Sequence, residues 1–177
     1  MKSVPFRAVL LFLLAIVAIG SFTTTSTISS TTPSLSNPPR AVDGACSDDG
    51  ITLIVEFGPL GQESLTRCVQ NFSGNSWDLF EAAELTLEGT ANYPDSFVCR
   101  IQDSPSAEEE PCDGTPNMQT GSWVYFVANA EDEPRKWQRS PVGAASRTPK
   151  CGDSEAWVFT RDSSASPKIP PNTNECS

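Results

Sequence analysis

The chain has 177 residues, a net charge of −10 and no histidine. A chain of this length suits a single folded domain. So acidic a protein repels phosphate backbones and anionic membrane surfaces, which excludes nucleic acid as an expected partner. Without histidine there is no Ser-His-Asp triad, no Cys-His pair and no histidine-bound zinc. We therefore expect no enzyme, no metal site and no cofactor.

The first 20 residues have the features of a secretory signal. Lys2 and Arg7 precede an apolar run from Ala8 to Ile19, which is shorter than the roughly 20 residues that a membrane-spanning helix needs. The small residues Ala18 and Gly20 place cleavage after position 20. An uncleaved N-terminal anchor is the alternative, and would be the only link to a membrane. Either way the remaining chain is secreted or displayed at the cell surface. Its net charge would fall from −10 to −12, because Lys2 and Arg7 leave with the signal.

Residues 21–45 are predicted to be a disordered tether. Ser, Thr and Pro dominate its first 20 residues, and such a composition cannot bury enough apolar surface to offset the entropy of ordering. We expect the folded domain to cover residues 46–161, followed by a polar tail over residues 162–177.

Local patterns predict a hairpin, then a helix, then further strands. Ile51 to Phe57 is rich in β-branched residues, Gly58 to Gly61 marks a turn, and Ser64 to Gln70 alternates polar and apolar residues. A short helix can be capped by Ser73 or Asn75. Its apolar face comprises Trp77, Leu79, Phe80, Ala82 and Ala83. Later extended segments are predicted at Leu85 to Leu87, Phe97 to Ile101, Trp123 to Val127 and Ala156 to Phe159. This order predicts an α+β domain, with one helix packed on a small mixed sheet.

The chain has six cysteines, an even number that is typical of a disulfide framework in an exported protein. They are Cys46, Cys68, Cys99, Cys112, Cys151 and Cys176. The closest pair in sequence, Cys99 and Cys112, is predicted to close the acidic loop from Ser104 to Asp113. Consecutive glutamates in that loop lack the spacing of a calcium site. Cys151 is then expected to pin the tail through Cys176, which leaves Cys46 and Cys68 for the first hairpin. Six cysteines allow other pairings, which spacing alone does not exclude.

Short motifs in the second half of the chain resemble a known family. They are Gly121-Ser122-Trp123-Val124-Tyr125-Phe126, Ser140-Pro141-Val142-Gly143-Ala144-Ala145-Ser146, Gly152-Asp153 and Glu155-Ala156-Trp157. Their order resembles the DUF4430 domains, which are similar to the C-terminal β-domain of transcobalamin and intrinsic factor. The version with paired cysteines resembles small secreted actinobacterial proteins. The resemblance covers about residues 50 to 160, and implies a β-grasp-like fold and a cobalamin-like ligand.

Four residues are the candidates for a ligand site. Trp123, Tyr125 and Trp137 supply rigid aromatic surface on which a flat ligand can stack. Arg147 offers a planar donor fork that suits a carboxylate or phosphate. The first hypothesis is therefore a non-catalytic ligand-binding module, with these aromatics lining a cleft and Arg147 at its rim. The alternative is a structural or adhesive surface module that binds a protein partner. A hydrolase that uses paired carboxylates is a third reading, which no spacing supports.

Overall fold

The computed structural model describes residues 37–176, which are built around one six-stranded mixed sheet. Its elements in chain order are strands β1 (Arg40–Asp43), β2 (Ile51–Glu56) and β3 (Leu65–Gln70), helix α1 (Asp78–Ala82), and strands β4 (Leu87–Thr90), β5 (Tyr93–Ile101), β6 (Ser122–Ala128), β7 (Gln138–Arg139) and β8 (Ser154–Thr160). The sheet order is β1-β3-β2-β8-β6-β7, and β4 and β5 form a separate hairpin. Within the sheet β2 and β8 run parallel, and the other pairs are antiparallel. The predicted signal, and the tether up to residue 36, lie outside the described residues.

The predicted first hairpin is confirmed as the antiparallel pair β2–β3. The turn between them begins with a short 3-10 segment, Gly58–Leu60. Gly58 has a φ of 51°, and a Cβ there would lie 2.4 Å from the carbonyl oxygen of Phe159. Only glycine fits so close to a neighbouring backbone. The start of the turn therefore lies close against the backbone of β8.

The predicted helix is also confirmed, and it packs on one face of the sheet. Asn75 Oδ1 accepts hydrogen bonds from the backbone N–H groups of Trp77 and Asp78 at 2.8 and 3.1 Å. Of the two predicted caps, Asn75 is therefore the one that satisfies backbone donors at the start of the helix. Leu79 and Phe80 are at most 1% exposed and join the main core. That core also takes alternate residues of the central strands and part of the β4–β5 hairpin. Its strand members are Ile51, Leu53, Val55, Val69, Val98, Ile101, Trp123, Tyr125, Val127, Trp157 and Phe159.

The opposite face of the sheet is covered by the C-terminal tail. We call residues 163–176 the strap, and the face beneath them the strap face. The strap face is made of Ile54, Val124, Phe126, Ala156 and Val158, against which Trp137 and Ile169 pack. Since strand side chains alternate between the two faces, burial on both sides accounts for the continuous apolar runs in β6 and β8.

Three disulfides connect the described chain, and they join the pairs expected from the cysteine spacing. They are Cys46–Cys68, Cys99–Cys112 and Cys151–Cys176. The Cys99–Cys112 bond closes a loop with a sequence separation of 13, for which the chain-entropy account gives about 3 kcal/mol. A framework of this kind is typical of proteins oxidised outside the cytosol.

Two short strands were not expected, and one domain boundary is wrong. The tether was predicted to reach residue 45, but Arg40–Asp43 form β1 and pair with β3. The domain therefore begins before residue 46. β7 has only two residues and pairs with β6 at the other edge of the sheet. Both strands have exposed side chains, so neither carries the apolar alternation that marks a strand in sequence.

Candidate functional site

Trp123 and Tyr125 are buried side chains of the main core. Trp123 is 6% exposed, packs edge-on against Phe159 at 5.4 Å between ring centroids, and donates its indole N–H to the carbonyl of Ser104. Tyr125 is 8% exposed and stacks on Trp157 at 4.6 Å. Both rings are thus packed against other aromatic side chains of the core and are buried from solvent.

Trp137 lies on the opposite face of the sheet, where it packs on the strap face. Its indole N–H donates a 2.8 Å hydrogen bond to the carbonyl oxygen of Ile169 in the strap. The sheet itself separates it from Trp123 and Tyr125. The predicted cleft with three aromatic walls is therefore not formed. The sequence analysis placed the three aromatic residues around one cleft, but Trp137 lies on the opposite face of the sheet from the other two.

Arg147 lies in a buried polar cluster and has no unpaired charge. Its Nε donates to Glu155 Oε1 at 2.9 Å, and its Nη2 donates to Asp153 Oδ2 at 2.7 Å and to Asn129 Oδ1 at 3.0 Å. Ser76 Oγ donates to the same Glu155 oxygen at 2.6 Å. Side-chain exposure is 16% for Arg147, 4% for Asp153 and 0% for Glu155. Two buried carboxylates thus already occupy the guanidinium that was predicted to hold a ligand anion.

Burial sets the proton equilibria of this cluster. It raises the pKa of Glu155, although the bonds from Ser76 and the positive charge of Arg147 act in the opposite direction. Burial likewise raises the pKa of the Tyr125 hydroxyl far above its usual value, and the charge of Glu155 adds to that effect. For Arg147 burial is the largest single effect and lowers the pKa. The charge and hydrogen bond of Glu155, together with Tyr125 and Asp153, outweigh it, so the net pKa is raised. Arg147 is one cation beside two carboxylates. A raised pKa of Glu155 favours its neutral, protonated form and so reduces the excess of negative charge in the cluster.

Three buried polar atoms beside this cluster have no hydrogen-bond partner among the described residues. They are the Tyr125 hydroxyl, Glu155 Oε2 and Trp157 Nε1. Tyr125 is the cross-strand neighbour of Trp157, and Glu155 lies two residues before Trp157 on the same face of β8. Glu155 and Ser76 both lie close enough to the Tyr125 hydroxyl to affect its pKa, yet no hydrogen bond of good geometry joins the hydroxyl to either of them. Unpaired buried groups of this kind cost stability.

An open groove of about 490 Å³ lies beside the helix. Its walls come from the segment that precedes and enters β1, the turn after β3, and α1. Pro38, Phe72 and Ala82 supply apolar surface, whereas the carboxylates come from Asp78, Glu81 and Glu84. All three acidic side chains are exposed. This concavity contains none of the four predicted site residues, and sequence reasoning did not identify it.

One group of potential metal ligands occurs in the described part of the chain. The side-chain ligand atoms of Asp49, Cys151 and Cys176 lie within 4.8 Å of one another. Both sulfur atoms belong to a disulfide, so neither offers the thiolate that a metal requires. In the oxidised protein this group is not a metal site.

Comparison with known proteins gives no assignment. No family model, curated protein or solved structure matches this chain. The DUF4430 resemblance thus stays a prediction. Among residues 37–176, no helix combines the length and apolar character that crossing a bilayer requires.

The sequence did contain a signal for the Arg147 cluster. Glu155 stands in an otherwise apolar strand, next to Ala156 and Trp157. A carboxylate within a buried strand needs a cation or several donors, and Arg147 is close in sequence. The groove gave no comparable signal, because its walls come from three separate parts of the chain.

Proposed function

We propose that the mature chain is a secreted or cell-surface, non-catalytic module that binds a protein partner. The partner contributes a basic, extended segment that lies in the groove beside α1. This is the second of the two functions that the sequence left open. The first, binding of a cobalamin-like or other flat small molecule, required aromatics that converge on one cleft.

The observation that carries this choice is the use of all four candidate residues inside the fold. Trp123 and Tyr125 are core residues, Trp137 is bonded to the strap, and Arg147 is paired with two carboxylates. A flat ligand could reach the first two only by unpacking the core, which costs several kcal/mol for each large side chain exposed. A protein partner that binds the outer surface requires no such change.

Charge and shape support a basic segment as the occupant of the groove. Asp78, Glu81 and Glu84 place three carboxylates on its walls, and the whole chain carries a net charge of −10. Opposite charge raises the association rate and sets orientation, while apolar contacts at the centre supply affinity. Pro38 and Phe72 provide such contacts here.

The fold that we propose for this module is β-grasp-like. An N-terminal hairpin, β2–β3, is followed by a helix, and β8 then returns to lie parallel to β2 at the centre of the sheet. A six-stranded sheet with short edge strands is the coarser description. The DUF4430 and actinobacterial resemblance implies the same arrangement.

Selection of displayed random peptides on the oxidised domain tests the proposal. We expect enriched peptides to be rich in Lys and Arg, with one or two apolar residues, and to bind less tightly as salt increases. Glu81→Lys should abolish their binding. The matched variant Glu108→Lys makes the same charge change in the exposed acidic loop, outside the groove, and should leave binding intact. Enrichment of peptides that bind the Glu81→Lys variant as tightly as the unaltered domain would contradict the proposal.

Tryptophan fluorescence distinguishes the small-molecule alternative. The oxidised domain is titrated with corrinoids and other flat vitamins, with free tryptophan as the control for light absorption by the ligand. We expect no saturable quenching. Saturable quenching that disappears in Trp137→Ala would favour the ligand-binding function, and would also mean that the strap yields to the ligand.

A further inference from the structure

The strap is a peptide segment that is bound to the protein's own sheet. Glu56, which is 4% exposed, accepts hydrogen bonds from the backbone N–H groups of Lys168 and Ile169 at 2.7 and 2.8 Å. The Ile169 carbonyl accepts the bond from Trp137, and its side chain packs on the strap face. Arg135 Nη1 donates to the carbonyl of Asn172 at 2.7 Å. Backbone and side chain of the strap are therefore both recognised.

Two asparagine side chains of the strap are anchored in the body of the domain. The Asn172 amide donates to the carbonyl of Cys46 at 2.6 Å and to Thr52 Oγ1 at 3.1 Å. The backbone N–H of Asn172 donates to Ser154 Oγ at 3.0 Å. Near the end of the strap, the Asn174 amide donates to the carbonyl of Asp48 at 2.6 Å. These bonds are individually modest, and each depends on the strap staying in register.

A single covalent bond fastens the far end of the strap to the domain. In the described chain, the Cys151–Cys176 disulfide is the one whose two cysteines are exposed. The four cysteines of the other two disulfides are at most 5% exposed. Thiol–disulfide exchange needs access of the attacking thiolate to a sulfur atom. The exposed bond is therefore the one that a reductant in solution can reach while the domain stays folded.

The Asp49 carboxylate lies within 4.8 Å of both sulfur atoms and opposes negative charge on either, whereas a hydrogen-bond donor lies at Cys151 alone of the two. The backbone N–H of Gly50 donates to Cys151 Sγ at 3.1 Å, and such a donor stabilises negative charge that develops on this sulfur. Attack at Cys176 Sγ would break the S–S bond and leave Cys151 as the thiolate. A leaving thiolate that is better stabilised departs faster.

We propose that Cys151–Cys176 is a redox-sensitive clasp, whose reduction by a dithiol releases the strap and uncovers the strap face. The dithiol supplies two electrons and two protons. Its two thiols become a disulfide, and Cys151 and Cys176 become thiols. Release would take Ile169 off the apolar face made by Ile54, Val124, Phe126, Ala156 and Val158, and would leave Trp137 as the side chain that still packs there. This device goes beyond the proposed partner binding, and does not depend on it.

The test begins with the unaltered, oxidised protein and a limited amount of dithiothreitol. Samples are taken over time, free thiols are blocked with iodoacetamide, and the blocked positions are mapped by mass spectrometry. We expect Cys151 and Cys176 to be blocked before the other four cysteines. With the same time course, trypsin should begin to cut after Lys168 and the fluorescence of an apolar dye should rise. Earlier reduction of either buried disulfide would overturn the proposal.

A pair of variants separates the clasp from general loss of stability. Cys151→Ser with Cys176→Ser removes the clasp, and should give dye binding and Lys168 cleavage without reductant while circular dichroism still reports the sheet. Cys99→Ser with Cys112→Ser removes a buried disulfide instead, and should leave the strap protected. If the strap stays protected after Cys151 and Cys176 are reduced in the unaltered protein, the hydrogen bonds alone hold it and the proposal is wrong. That result would leave the peptide-binding function of the groove unaffected.

Discussion

Replacement of Arg147 by alanine tests whether this side chain serves the fold or a ligand. The substitution removes hydrogen bonds to the carboxylates of Asp153 and Glu155 and one to the neutral amide oxygen of Asn129. It leaves two carboxylates that are at most 4% exposed without their cation. Breaking a buried ion pair by removing one partner typically costs about 3–5 kcal/mol. We expect the free energy of unfolding to fall by about that amount.

The assay is urea unfolding followed by tryptophan fluorescence, with linear extrapolation to water. Lys150→Ala is the matched control, because Lys150 pairs with Glu131 at 3.6 Å and both side chains are 74% exposed. An exposed pair of this kind contributes below about 1 kcal/mol. Arg147→Lys keeps the charge but loses the planar fork, so its loss should be intermediate. If Arg147→Ala costs no more than Lys150→Ala, the cluster does not support the fold, and the guanidinium returns as a candidate for binding an anion.

Three further substitutions have expected outcomes. Tyr125→Phe removes a buried hydroxyl without a partner, so thermal unfolding should show equal or slightly higher stability. A loss above about 1 kcal/mol would show that the hydroxyl is bonded. Glu155→Gln removes a group whose folded pKa is raised, which favours the folded state while the acid is protonated. The unaltered protein should therefore lose free energy of unfolding relative to Glu155→Gln as the pH rises from 4.5, the ordinary pKa of a glutamate, through the raised pKa of the folded state. Urea unfolding at each pH measures this difference. Phe80→Ala leaves a cavity in the core, because the Phe80 side chain is 1% exposed and its ring centroid lies 5.8 Å from that of Trp157. It should lower the free energy of unfolding by about 3–5 kcal/mol in the same urea assay, and a loss below about 1 kcal/mol would contradict its place in the core.

The sequence predicted the elements whose signal is local. The β-branched run that begins at Ile51, the capping residue types at Ser73 and Asn75, and the bulky run of β6 each indicate their own conformation within a few residues. The Cys99–Cys112 pair also followed from sequence, because these two cysteines are close together, whereas spacing left the pairing of the other four cysteines open. None of these inferences needed the order of strands in the sheet.

The tertiary structure decided which residues face each other, and so decided the candidate site. Alternation along β6 shows that Trp123 and Tyr125 share a face, but not that the helix covers that face while Trp137 packs under the strap on the other. Arg147 could be recognised as a lone cation in the motif region, yet its pairing with Asp153 and Glu155 depends on how the loop before β8 folds back. β1 has no apolar alternation and is a strand only because β3 offers it an open edge. Local propensity fixes what a segment can become, whereas long-range pairing and burial determine which surfaces remain free to function.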